Sequence, residues 1–374
     1  MAAAVTGLTV ALAASAVAAG HSPAPVDRAA SSIPPIRHVF TIVLENKNFA
    51  DTFGAESAAP YLAKRLTKKG QLLEQYFGTG HFSLGNYITM ISGQAENPAT
   101  QSDCQTFSEM TPGTIGPDGQ ALGSGCVFPA AAKTVVDQLK GKKLRWRSYS
   151  EDMGNDPARE ARRCGAPPLG QRDPTQSATA KDQYAARHNP FVYFHSVLDD
   201  KARCRSHVVA LDKLGPDLRK LRTTRHYTFI TPDLCSDGHD DECANPKQKG
   251  GYAGIDQFLR KWVPRILHSR GYRKNGLLVI TFDESESGAD SCCFTPTGPN
   301  TPAQGIYGAG GGRTGTLLLS PWIKPGSQNP TPYNHYSLLR SVEDIFGVGH
   351  LGYAARDEVE PFGRDVFQSH KIAP

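Results

Sequence analysis

Five short runs of β-branched and apolar residues, 38–44, 144–149, 226–230, 277–282 and 316–320, punctuate the chain, with helical patterns between them. Runs this apolar at consecutive positions have no polar face to turn to water, so they read as strands buried on both sides. Helices are expected at 60–69, 130–139, 255–268 and 336–346, the third carrying Ile255, Phe258, Leu259, Trp262, Ile266 and Leu267 on one face. The alternation predicts an α/β fold, a three-layer α/β/α sandwich with a mostly parallel central sheet. At 374 residues, 39% hydrophobic and 21% charged, the chain is long enough to bury a large core.

The first 18 residues form an uncharged apolar run ending in Ala16, Val17 and Ala18, the pattern of a secretory signal, although no Lys or Arg precedes it. Residues 19–35, rich in Ala, Ser and Pro, read as a flexible spacer, and 36–374 as one domain. Eight cysteines in an exported chain favour disulfides, each contributing about 2–4 kcal/mol. Cys104 with Cys126 and Cys164 with Cys204 are the natural neighbours, and no paired C-x-x-C knuckle offers a zinc site. The unpatterned stretches 94–125 and 152–182 are expected to be disulfide-tied loops that select substrate. The net charge of +5 is spread without a basic stripe, which argues against nucleic acid as a partner.

Open α/β sheets bind ligands beyond the carboxyl ends of their strands, so the residues there are the informative ones. Glu45 and Asn46 follow the first run, Asp233, Asp237, His239 and Asp240 the third, and Asp283 and Glu284 the fourth. Carboxylates gathered this way repel one another unless a cation lies among them. Oxygen donors without cysteine select a hard divalent cation, calcium or magnesium first and manganese next, with zinc kept open by the nearby histidines. Ser83 opens an apolar helical run. It reads either as an N-cap or as a nucleophile at a helix N-terminus suited to phosphate, with Asn86 one turn on holding phosphoryl oxygens.

Several stretches then resemble motifs of one family. Glu45-Asn-Lys-Asn-Phe-Ala-Asp-Thr-Phe-Gly54 is similar to E-N-R-S-F-D-x-x-F-G, and His81-Phe-Ser-Leu-Gly-Asn-Tyr87 to H-P-S-x-P-N-Y, with Phe82 and Gly85 in place of the prolines. Arg187-His-Asn-Pro-Phe191 resembles K-H-x-P-W/F, and Asp237-Gly-His-Asp240 resembles N-D-M-H-D. Leu278-Val-Ile-Thr-Phe-Asp-Glu284 resembles V-V-T-W-D-E, and His335-Tyr-Ser-Leu-Leu-Arg-Ser-Val-Glu343 resembles H-Y-S-x-L-x-T-I-E. These are the marks of the phosphoesterase family of bacterial phospholipases C and secreted acid phosphatases, within the alkaline phosphatase superfamily.

The resemblance implies an alkaline phosphatase-like fold and a secreted phosphatase, nearest the actinobacterial acid phosphatases, acting on phosphate monoesters that include phosphoinositides. It implies one divalent cation on Glu45, Asn46, Asp283 and Glu284, and a phosphoserine intermediate on Ser83. His239, His335 and His188 are then the expected catalytic histidines, with His81 and Asn86 on the substrate. The expected partners are small-molecule or lipid-headgroup phosphate esters, with transient membrane-surface contact and a monomeric enzyme.

Three other readings stay open on the sequence. A phospholipase C would use the same residues on phosphodiesters. A serine acyl hydrolase would use Ser83, Asp283 and His335, in the chain order of that fold, although the glycine spacing around Ser83 misses G-x-S-x-G. A non-catalytic phosphate-binding protein would turn nothing over.

Overall fold

The computed structural model describes residues 1–2, 33–303 and 306–372, so the expected signal segment and most of the spacer lie outside the described residues. The described residues from 33 onward pack as one compact unit. Its centre is an eight-stranded sheet built, in chain order, from β1 (His38–Leu44), β2 (Gln71–Leu73), β3 (Trp146–Ser150), β4 (Val208–Ala210), β5 (Tyr227–Thr231), β6 (Gly276–Phe282), β7 (Thr316–Leu319) and β8 (Ser327–Asn329). The spatial order is β8-β2-β7-β6-β1-β5-β3-β4. β6, β1, β5, β3 and β4 run parallel, and β7 alone pairs antiparallel with both of its neighbours, β6 and β2.

The alternation of side chains along β1 shows why two helical layers are needed. Val39 and Val43 enter one apolar cluster, with Tyr87, Ile88, Leu338 and Leu339. Phe40, Ile42 and Leu44 enter the other, with Ile255, Leu259 and Trp262. The first layer is made by α1 (Ser83–Ser92), α2 (Val135–Gly141) and α4 (His335–Phe346), and the second chiefly by α3 (Gly251–His268). Both sheet faces are therefore sealed, and the uninterrupted apolar runs are explained. No described helix is long and apolar enough to cross a membrane.

The expected strands form within two residues of their predicted ends, and the expected helix at 60–69 is a π-helical turn followed by a 3-10 turn. The stretch 94–125 carries a hairpin, Thr111–Ile115 with Ala121–Ser124, and is joined to the core by Cys104–Cys126. Cys164–Cys204 fastens the second stretch, and Cys235–Cys243 and Cys292–Cys293 complete four bridges. α1 ends where Gly93 takes a left-handed φ of 67°, a conformation glycine reaches without a Cβ clash.

Candidate active site

The carboxyl ends of β1, β5 and β6 converge on the amino end of α1. Ser83 is the first residue of that helix, not its cap: Phe82 holds the cap position, and Asp103 Oδ1 accepts the Leu84 N–H at 2.9 Å. The Ser83 hydroxyl instead donates to Glu45 Oε2 at 2.9 Å, and Tyr87, one turn later, donates to Glu45 Oε1 at 2.5 Å. The capping reading of Ser83 therefore fails on geometry.

Glu45, Asp237, Asp283 and Glu284 are all buried. Burial first, then Asp283 and Asp237, pushes the Glu45 carboxyl well above the usual range. Burial first, then Asp283, does the same to Glu284, and burial dominates at Asp237. Asp283 Oδ1 accepts the Asn46 N–H at 3.0 Å, while Oδ2 is buried without a partner.

His188 lies between two acids, its Nδ1 3.1 Å from Asp237 Oδ2 and its Nε2 3.4 Å from Glu45 Oε2, with its ring stacked on Tyr87. Burial, then Arg187 and His239, drives the imidazole well below its ordinary pKa, so the ring is neutral. With its proton on Nδ1 toward Asp237, Nε2 turns a lone pair toward the Glu45 carboxylate and has no hydrogen-bond partner. Two electron-rich groups facing each other in a buried site repel, and a cation removes the repulsion. Ligand atoms of Glu45, His188 and Asp237 lie within 4.8 Å of one another, and this donor set, with the orphaned Asp283 oxygen, fits a divalent ion.

The remaining expected site residues divide in two. His239 reaches the site half-exposed, its Nδ1 donating to Asp240 Oδ1 at 2.7 Å and its Nε2 accepting from Arg187 at 3.2 Å. The others are engaged in building it. Asn86 Oδ1 accepts from the Thr79 and Gly80 amides, and its Nδ2 donates to the Gly80 carbonyl and to Glu284 Oε2, which leaves no group for phosphate. His81 spans Glu284 Oε2 and the Gly288 carbonyl, each at 2.9 Å. His335 is held by the Tyr76 hydroxyl at 3.0 Å and the Asp283 carbonyl at 2.5 Å, and burial pushes its pKa down to about 4. With Ser83 on Glu45 and His335 on a main-chain oxygen, Ser83, Asp283 and His335 form no hydrogen-bonded triad, so the acyl hydrolase reading has no geometric support.

Arg187 is a buried cation at the site to which the sequence motifs assign no role. It is buried, donates to His239 and the Gln176 carbonyl, stands 3.6 Å from Asp103, and keeps a buried Nε without a hydrogen-bond partner. Its signal was present, because it opens the same short motif that drew attention to His188.

The Phosphoesterase family profile matches residues 55–349. The chain is 26% identical over 311 residues to the phosphate-repressible acid phosphatase of Penicillium chrysogenum, covering 83% of this chain and 59% of that one. It is 25% identical over 329 residues to a phosphatidylinositol-3-phosphatase of Mycobacterium tuberculosis, covering 88% and 83% respectively. The chain thus spans less than two thirds of the fungal acid phosphatases it matches. A solved structure of an alkaline phosphatase superfamily protein from Vibrio parahaemolyticus aligns with a TM-score of 0.51 at 12% identity, covering 90% of this chain and 73% of that one, a likeness of fold. With this profile over most of its length, the chain belongs to the phosphoesterase family.

Proposed function

We propose that the chain is a secreted, metal-dependent phosphatase that hydrolyses phosphate monoesters through a phosphoserine on Ser83. The observation that carries this reading is the Ser83 hydroxyl at the amino end of a buried helix, 2.9 Å from a carboxylate in a cluster of buried acids. Similarity to acid phosphatases and to a phosphatidylinositol-3-phosphatase supports monoester and phosphoinositide substrates. Four disulfides and the apolar leader support export.

The cation would be held by Glu45 and Asp283 of the expected ligands, with His188 and Asp237 completing the donors, while Glu284 Oε2 is taken by His81 and Asn86, and Asn46 contributes its main-chain N–H to Asp283. Bound there, it supplies charge neutralisation to the phosphoryl group and to the nucleophile. The chain's own residues do the rest. The hydrogen bond to Glu45 fixes Ser83 Oγ and makes Oε2 the first acceptor of its proton as Oγ attacks phosphorus. Arg187 and the free amides of α1 meet the phosphoryl oxygens, where charge accumulates. Asp240 holds the Nδ1 proton of His239, so Nε2, which accepts from Arg187 in the free enzyme, is released as base for the attacking water once Arg187 turns to the phosphoryl oxygens, and it returns that proton to the departing oxygen of the next substrate. Asn86, His81 and His335 are positioning residues that fix the loop before Ser83, Glu284 and the Asp283 main chain.

The test is turnover of p-nitrophenyl phosphate and of phosphatidylcholine before and after exhaustive chelation. Monoester turnover lost on chelation and restored by calcium or magnesium is expected. Full activity without metal contradicts the cation, and faster release of diacylglycerol than of phosphate contradicts the monoesterase assignment in favour of a phospholipase C.

A further inference from the structure

The opposite end of the sheet carries a second concentration of charge. The amino ends of β1, β3, β5 and β6 open into a cleft of about 410 Å³ lined by Arg37, His38, Arg145, Arg222, His226 and Lys274. Four of these are permanent cations, and no carboxylate lines the cleft among the described residues. Asp217, the acid beside neighbouring Arg225, is already occupied by Arg147 at 2.6 Å and the Tyr149 hydroxyl at 2.7 Å. β1 spans seven residues, which puts the cleft roughly 20 Å from the acids around Ser83.

The cleft is fixed from below. The Arg145 guanidinium donates to the Arg222 and Thr224 carbonyls, and the rings of His38 and His226 stack within 5° of parallel, their centroids 5.6 Å apart. An amide only donates and a carbonyl only accepts, so the tautomers follow. His226 Nδ1 accepts the Arg145 N–H at 2.9 Å, which leaves the His226 proton on Nε2. His38 Nδ1 donates to the Arg225 carbonyl at 2.7 Å. Cations crowded without counter-charge repel, and an oxyanion removes that repulsion while pairing with guanidinium forks and an imidazole N–H.

We propose that this cleft is a second binding site, separate from Ser83, for a phosphate-class oxyanion, presented either by a free phosphate or by the headgroup of an anionic lipid. A concave site of this volume suits a headgroup-sized anion.

The experiment follows the His38 and His226 ring resonances by NMR as inorganic phosphate is added to the full protein, and repeats the titration with Arg222→Glu/Lys274→Glu, two exposed positions. Saturable shifts are expected in the wild type. The double variant should bind roughly tenfold or more weakly, with turnover of p-nitrophenyl phosphate and melting temperature unchanged. A second arm measures co-sedimentation with phosphatidylglycerol vesicles. Sedimentation lost in the double variant names a lipid headgroup as the source, and its absence in the wild type, with phosphate still bound, names a free phosphate. Ring resonances unmoved by phosphate, equal shifts in the double variant, or turnover lost with it would overturn the proposal.

Discussion

At the scale of single residues, the site is a set of buried groups that cannot all be satisfied by one another. Arg187 tests this directly. Removing a buried donor aimed at developing phosphoryl charge lowers kcat/KM by about 10²–10³-fold, and Arg187→Lys should recover only part of the loss because the forked geometry is gone. Steady-state kinetics on a monoester checks both variants, and an Arg187→Ala enzyme with unchanged kcat/KM would remove this residue from the phosphate site. His226 gives a prediction with a definite sign. Burial, then His38 and Arg145, holds its pKa at about 4, with Arg37 adding to the effect. Its unfolded value is about 6.5. Between those values the unfolded chain takes up the proton and the folded chain does not, so this residue's contribution to stability is complete above about 6.5 and is lost as pH falls toward 4. Thermal melts across that window should show a shallower acid slope for His226→Gln, and identical slopes would contradict the assignment. The places of Glu45, Asp237, Asp283 and Glu284 after strands marked them in the sequence, and the fold buries all four. The sequence could not reveal that Asn86, His81 and His335 spend their polar atoms on neighbours, because those partners lie far away in the chain or in the folded turn before α1.

At the scale of elements, α1 links packing to chemistry. A Cβ at Gly85 would come within 2.1 Å of the buried Glu96 carboxylate, so the glycine leaves the notch that this side chain fills. Gly85→Ala should cost about 1–3 kcal/mol through overpacking, read as a lower urea midpoint at unchanged slope, and an unchanged midpoint would show that Glu96 moves aside freely. The tied loops form the next element. Cys104–Cys126 and Cys164–Cys204 close 22- and 40-residue separations, and removing either by paired Cys→Ala substitution should cost about 2–4 kcal/mol. Calorimetry of each variant checks this, and a melting temperature equal to wild type would show the loops to be independent of the core. Strands β1, β5, β6 and β7 were legible because both of their faces are buried and they read as apolar runs. The three-residue strands β2, β4 and β8 were not, since pairing by their neighbours holds them in place more than any pattern of their own. The hairpin in 94–125 was missed for a related reason: Thr111–Ile115 is largely exposed and alternates nothing.

At the scale of the whole molecule, the mostly parallel sheet separates two charges of opposite sign. Acids gather where β1, β5 and β6 end, and cations where the same strands begin. The layered architecture was readable from the order of runs alone, whereas the basic cleft was not, because Arg37, Arg145, Arg222 and Lys274 are scattered in sequence and only the register of four strands brings them together. The central claim, however, rests on one oxygen atom. Ser83→Ala should fold, lose no more than about 1–3 kcal/mol of stability with the hydrogen bond to Glu45, and lose turnover by several orders of magnitude. The most direct measurement is mass spectrometry of the wild type quenched in acid during turnover of a phosphate monoester. Phosphate on Ser83, within the peptide spanning residues 80–93, is the predicted result. An unmodified peptide from the enzyme during turnover, together with an active Ser83→Ala protein, would contradict it.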